Sequence, residues 1–212
     1  MAFDLDEQEQ LAALKDWWKK YGNLTTWALI IALGAYAGWS GWNYYQRSQA
    51  LQASQLYDEL QKAVSAKVQR AAADIQQKFG STAYAGMAAL SAAKVAFDAN
   101  DLNGAKEQLQ WTVDHGADDD YRALARVRLA GILLDQKAYD DGLKVLAADV
   151  PAPFASAVAD RKGDILVAQN KIDEARAAYQ LALDKMDSQN PGRQLIQLKL
   201  DAIGGAPAKA AA

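Results

Sequence analysis

From Leu11 onward the apolar positions recur at helical spacing. Leu11, Leu14, Trp18 and Tyr21 stand three, four and three residues apart, which is one stripe of an amphipathic helix. A different pattern follows. The 26 residues between Lys20 and Arg47 carry no formal charge, and Leu24 to Tyr45 reads LTTWALIIALGAYAGWSGWNYY. About 20 residues at roughly 1.5 Å rise cross a hydrocarbon core of ~30 Å, so this run predicts a transmembrane helix over 24–45. Trp17, Trp18, Trp27, Trp39 and Trp42 sit in or beside it with Tyr21, Tyr44 and Tyr45. Such aromatic rings settle at headgroup level.

The flanks set the expected direction. Lys15, Lys19 and Lys20 precede the run, whereas Arg47 stands alone after it until Lys62. The bias of basic residues toward the cytoplasm then keeps the N-terminus inside and sends the large C-terminal part across. Asp4, Asp6, Glu7 and Glu9 weigh little in that rule. Ala35-Tyr36-Ala37 has the small-x-small form of a signal-peptidase site, so a cleaved signal peptide is the alternative to an uncleaved anchor. Gly34 and Gly38 form a GxxxG with Gly41 close by, a pattern that lets a second helix approach, and these three glycines are the candidate helix-contact positions.

Beyond Gln46 the period is helical throughout. Leu56, Leu60 and Val64 step by four, and so do Val68 and Ala72, followed by Ile75 and Phe79. They predict two helices meeting near residues 65–67, with Gly80-Ser81 closing the second. Repetition appears next. Ala93, Ala130 and Gly163 each precede a large apolar residue by nine positions (Leu102, Tyr139, Ile172). A small residue follows by twelve (Ala105, Gly142, Ala175), and a further large one by sixteen (Leu109, Leu146, Tyr179). The starting points are 37 and 33 residues apart. A period near 34, with small residues where paired helices cross, is the tetratricopeptide pattern. After Asn190-Pro191-Gly192 a last short helix, with Leu195, Leu198 and Ile203 as its apolar face, is expected to close the stack.

The fold expected is therefore all-α: one N-terminal transmembrane helix followed by a tetratricopeptide-like solenoid of stacked helix pairs. Its parts are an amphipathic cytoplasmic segment 1–23, the span 24–45, and a linker or capping helix pair 46–80. Exported repeats with a capping helix fill 81–203, and a flexible tail covers 204–212.

Composition narrows the chemistry. There is no cysteine, which removes disulfides and thiolate sites, and a net charge of −3 with both signs interspersed offers no basic stripe for nucleic acid. His115 is the single histidine and stands before Gly116, where a helix end attracts a cation. Asp118-Asp119-Asp120 lacks the alternating ligands of a calcium loop and suits a helix start. No phosphate loop, dinucleotide fingerprint or HExxH occurs, so no metal, cofactor or catalytic residue is assigned. What remains is the wall that first helices of stacked pairs present to another protein. By position, Lys94, Asp98, Val127, Gly131, Asp135, Asp160 and Asp164 line it.

The order of segments resembles one known family. The acidic head, the Trp/Lys-rich approach and the run ending in Gly38-Trp39-Ser40-Gly41-Trp42-Asn43 are similar to the YfgM family of ancillary translocon subunits. So are the stretches YAGMAALSAAKVAFD (Tyr84–Asp98), ARVRLAGILLDQKAYDDGLKVL (Ala125–Leu146) and ADRKGDILVAQNKIDEARAAYQLAL (Ala159–Leu183). The chain departs from that family in its long alanine-rich tail and its tryptophan-richer N-terminus. The resemblance implies a single-pass protein of a bacterial inner membrane, N-terminus cytoplasmic and repeats periplasmic. It further implies association with a SecYEG-type channel, with a PpiD-like membrane-anchored chaperone and with unfolded exported polypeptides, beside the lipid bilayer. The alternative is a regulator of an envelope stress response acting through the cytoplasmic N-terminus.

Overall fold

The computed structural model describes residues 5–63 and 65–205, with side chains 5–8, 65 and 66 left aside. Asp4, Val64 and the tail beyond 205 lie outside the described residues, as do the side chains of Asp6 and Glu7. The described residues are helical without any strand, and the chain divides into two units, residues 1–49 and 50–212.

The first unit is the larger part of helix α1 (Leu5–Lys62). Its apolar side chains have no protein to pack on: Leu11, Leu14, Trp18 and Tyr21 are exposed, and so are Trp27, Ile30, Ile31, Trp39 and Trp42. Rings one turn apart touch each other, as in Trp17–Tyr21, Tyr36–Trp39 and Trp42–Tyr45. Gly34, Gly38 and Gly41 face open space. The expectation of a transmembrane helix over 24–45 is not met, because no helix among the described residues is long and apolar enough to cross a membrane. The physical reason lies in the composition of the run. Its unbroken aliphatic part is only Ala28–Leu33. Thr25, Thr26, Ser40, Asn43 and rings with polar ends dilute it on both sides. The missing charge and the aromatic fringe had suggested more apolarity than the residues carry. The single-pass topology and its orientation lose their basis with the span.

The second unit is built from pairs. The end of α1 and α2 (Ser65–Phe79) bury Ala53, Leu60, Val68, Ala72, Ile75 and Phe79 against Ala85, Ala88 and Ala92 of α3 (Ala83–Asp98). Three pairs follow: α3 with α4 (Leu102–His115), α5 (Asp119–Asp135) with α6 (Tyr139–Val145), and α7 (Ala155–Ala168) with α8 (Ile172–Lys185). A 3₁₀ turn, Ala152–Phe154, leads into α7, and α9 (Gly192–Ala202) packs on α8. The first helices touch in sequence, α3 on α5 and α5 on α7, whereas the second helices do not approach one another as closely. First helices therefore form the tighter, inner wall.

The three pairs share one turn. Asn100, Lys137 and Asn170 each stand seven residues after the small residue of their repeat, and each adopts φ near +60. The next N–H reaches back to the carbonyl five residues earlier: Asp101 to Ala96, Ala138 to Leu133, and Lys171 to Leu166, at 2.8–2.9 Å. This satisfies carbonyls that a helix end leaves open. It also fixes where the second helix starts, so Leu102, Tyr139 and Ile172 are the first residues of α4, α6 and α8. Asparagine tolerates the left-handed backbone, lysine less so. Lys137→Gly is therefore expected to raise the unfolding free energy by roughly 0.5–1 kcal/mol, read by denaturant titration. No gain there would mean that the turn is not strained.

The closing helix differs from expectation in register. Leu195 and Leu198 are exposed, and the buried positions are Ile196 and Leu200, with Ile203 partly covered. Both sets have helical spacing, and eleven residues are too few for the pattern to choose between them. The choice is made by polar anchors. Arg193 donates to the carbonyls of Leu183 and Met186, and Lys199 reaches α7. At the start of the expected tail, the Gly205 N–H closes on the Leu200 carbonyl at 2.9 Å.

Candidate functional site

The inner wall opens into a cleft of about 410 Å³ lined by α3, α5 and α7. Four of the sequence-predicted wall residues come together there: Lys94, Asp98, Gly131 and Asp135. Lys94 and Asp98, one turn apart on α3, form an ion pair at 2.5 Å. The other three do not join them. Val127 is partly buried beside Ala130, Leu146 and Ile165. Asp160 and Asp164 hold α9 instead: the Lys199 Nζ lies 2.8 Å from a carboxylate oxygen of each.

Beside the buried Ala93, Leu109 and Ile132, three further residues line the cleft. Phe97 is 49% exposed, and among the described residues from Ala83 to Ala168 it is the large hydrophobic side chain left uncovered. Arg128 and Arg161 bring the cations. A signal for them existed, because they stand 33 residues apart at the same position of successive repeats. In the third helix pair Asp164 follows Arg161 by one turn and binds its guanidinium at 3.2 Å. In the second helix pair the residue at that place is Gly131, and Arg128 forms no ion pair among the described residues. The vacated space is taken by Arg161, whose guanidinium carbon would lie 3.6 Å from a Cβ on Gly131.

Below the cleft, α7 and α8 cross at Gly163. The Tyr179 ring lies against it, and the Tyr179 hydroxyl donates to Asp164 at 2.9 Å. Burial, and then the Asp164 charge, push the Tyr179 phenol well above its usual value near 10. Above about pH 10 the unfolded tyrosine ionises while the folded one keeps its proton, so the folded state binds more protons and stability falls as pH rises. Tyr179→Phe is expected to flatten the alkaline part of the stability curve. An unchanged slope would remove Tyr179 as its source.

The acid groups singled out in the sequence serve helix ends. Asp118 caps α5, accepting from the Asp120 and Tyr121 N–H groups at 2.9 and 3.2 Å. His115 is the last residue of α4, its Nδ1 3.2 Å from the Trp111 carbonyl and its ring stacked on Trp111. No group of three or more His, Asp or Glu side chains among the described residues could hold a metal ion. Asp118→Ala is expected to cost about 1 kcal/mol, the usual loss for an N-cap, read by thermal melting. A loss near zero would show that water caps this helix as well.

The arrangement, paired helices around a mixed polar and apolar cleft, agrees with the comparisons. A family model described as a tetratricopeptide repeat-like domain matches residues 15–205. A protein of Neisseria gonorrhoeae named ancillary SecYEG translocon subunit is 34% identical over 211 residues, which is 96% of this chain and 100% of that protein. The chain belongs to the ancillary SecYEG translocon subunit family. Proteins of the same name from Haemophilus influenzae and Escherichia coli are 30% and 28% identical. They cover 93% and 92% of this chain, and 95% and 96% of their own lengths. The YfgM-family resemblance read from segment order is thus correct.

Proposed function

We propose that this protein is a non-catalytic interaction scaffold, an ancillary part of a SecYEG-type channel that works with a PpiD-like chaperone on unfolded exported polypeptides. The observation that carries the reading is the inner wall. It joins the first helices of three successive repeats into one cleft, with an uncovered aromatic ring and charges of both signs. Such a surface suits side chains of another polypeptide, whereas no nucleophile and base are paired for chemistry among the described residues. Relatives of nearly full length that bear the translocon name support the channel as partner. Association with the membrane follows from the channel's residence there. The uncovered apolar and aromatic side chains of α1 between Leu11 and Tyr45 are the surface that meets the channel.

A tagged full-length chain, extracted in detergent, is expected to recover channel subunits and a PpiD-like chaperone. Recovery of neither would overturn this function. Crosslinks from a photoreactive residue at Gly34 or Gly38 to the channel, and none from Lys185, would support α1 as the contact.

A further inference from the structure

Within that reading, the cleft itself says which polypeptide segments it takes. We infer that the inner wall of α3, α5 and α7 binds an extended segment carrying an acidic residue beside an apolar one. The carboxylate sits at Arg128 and Arg161, and the apolar side chain covers Phe97. Three observations on different elements converge.

The first is an incomplete charge pattern. Arg161 has Asp164 one turn on, but Gly131 stands at the equivalent place after Arg128. Arg128 makes no hydrogen bond or ion pair among the described residues, although it lines the cleft. A ligand carboxylate would supply the partner that the second repeat omits. The second is a guanidinium that is only partly used. Arg161 donates through Nη1 to Asp164, and its side chain remains 33% exposed. Its accessible N–H groups are therefore open to a ligand carboxylate through a charge-assisted bond. The third is Phe97, uncovered where its neighbours in α3 to α7 are packed.

The remaining charges set direction rather than sign. Asp98 is neutralised by Lys94, and Asp135 lies two turns beyond Arg128 on α5, about 10 Å along the axis. Asp135 is an acceptor for a backbone N–H of the segment and repels a second carboxylate. The preferred segment therefore has its acid toward Arg128 and no acid toward Asp135. The inference rests on the proposed scaffold role, and its test is arranged so that the two fail separately.

The test titrates the full chain into a short fluorescein-labelled peptide with Leu-Glu at its centre, followed by fluorescence anisotropy. Saturable binding is expected. It should weaken on the order of tenfold when the peptide Glu becomes Gln or the protein carries Arg128→Glu, and severalfold with Phe97→Ser. Lys144→Glu, a charge reversal on α6, should leave it unchanged, and all variants should melt like the parent. Equal binding of the Glu and Gln peptides, an unchanged affinity in Arg128→Glu, or no binding by the parent overturns the inference. Recovery of the channel by Arg128→Glu in the pull-down keeps the scaffold role intact in each of those cases. Failure of the parent to recover the channel sinks that role whatever the peptide does.

Discussion

Gly163→Ala is expected to lower the unfolding free energy by about 2–3 kcal/mol, the upper part of the range for overpacking a filled core, although alanine is the better helix former. The two effects oppose each other and their sizes decide the sign. Replacing an interior helix glycine with alanine gains up to about 1 kcal/mol when there is space. At Gly163 there is none: an added Cβ would lie 2.4 Å from Tyr179 Cε1 and 2.5 Å from Cδ1. The ring cannot step aside cheaply, because Tyr179 is buried and its hydroxyl is tied to Asp164. Either the ring leaves its rotamer or α7 and α8 separate, and both open the core around Ala159, Ala182 and Leu183.

Gly131→Ala supplies the contrast. It is also interior to a helix of the inner wall, but its Cβ would meet Arg161 at 3.6 Å, an ordinary contact. There the helix-forming gain prevails, and a stabilisation of up to about 1 kcal/mol is expected. Denaturant unfolding of both variants reads the difference directly. Should Gly163→Ala prove as stable as the parent, the close crossing of α7 on α8 is not a real constraint. A double variant with Tyr179→Ala isolates the clash, since the Gly163→Ala penalty should vanish in that background.

That crossing also shows how much of the fold the sequence carried. Small residues at Ala93, Ala130 and Gly163, with large ones nine positions later, announce three helix pairs because close packing and the left-handed turn both recur with the repeat. The channel family followed from the order of those pairs. What stayed hidden depended on contacts between repeats. Val127 reads as a wall residue by position, yet it packs toward Ile165, and Asp160 and Asp164 are claimed by a lysine some 35–39 residues away. Periodicity fixes a face of a helix; it does not say which neighbour will cover that face. Arg128 and Arg161 were legible as a repeated pair, but only the empty place at Gly131 distinguishes the free one from the bound one. The α1 run misled for another reason. Absence of charge is not apolarity: the threonines, serine, asparagine and ring polar ends between 25 and 45 lower the hydropathy of the run without adding a charge.

Lys199→Met carries the second large effect, an expected loss of about 2–3 kcal/mol, below the full penalty for breaking a buried ion pair because the groups are partly open to water. Lys199 Nζ serves two carboxylates at once, Asp160 and Asp164, whose side chains are 22% and 16% exposed. Removing the cation leaves two like charges one turn apart on α7, and among the described residues Arg161 and the Tyr179 hydroxyl remain to answer them. Methionine keeps the length and apolar stem of the side chain, so the loss reports charge rather than packing. α9 should loosen first: hydrogen exchange is expected to quicken at Ile196 and Leu200, with α3 and α4 unaffected. Adding Asp160→Asn to Lys199→Met should restore most of the stability, because the stranded charge is then gone. If the single variant melts with the parent, the ion cluster is a surface decoration and α9 is held by Ile196, Leu200 and Arg193 alone. The same variant bears on binding. Asp164 freed from lysine draws harder on the Arg161 guanidinium, so the cleft should lose affinity for acidic peptides while Phe97 and Arg128 are untouched.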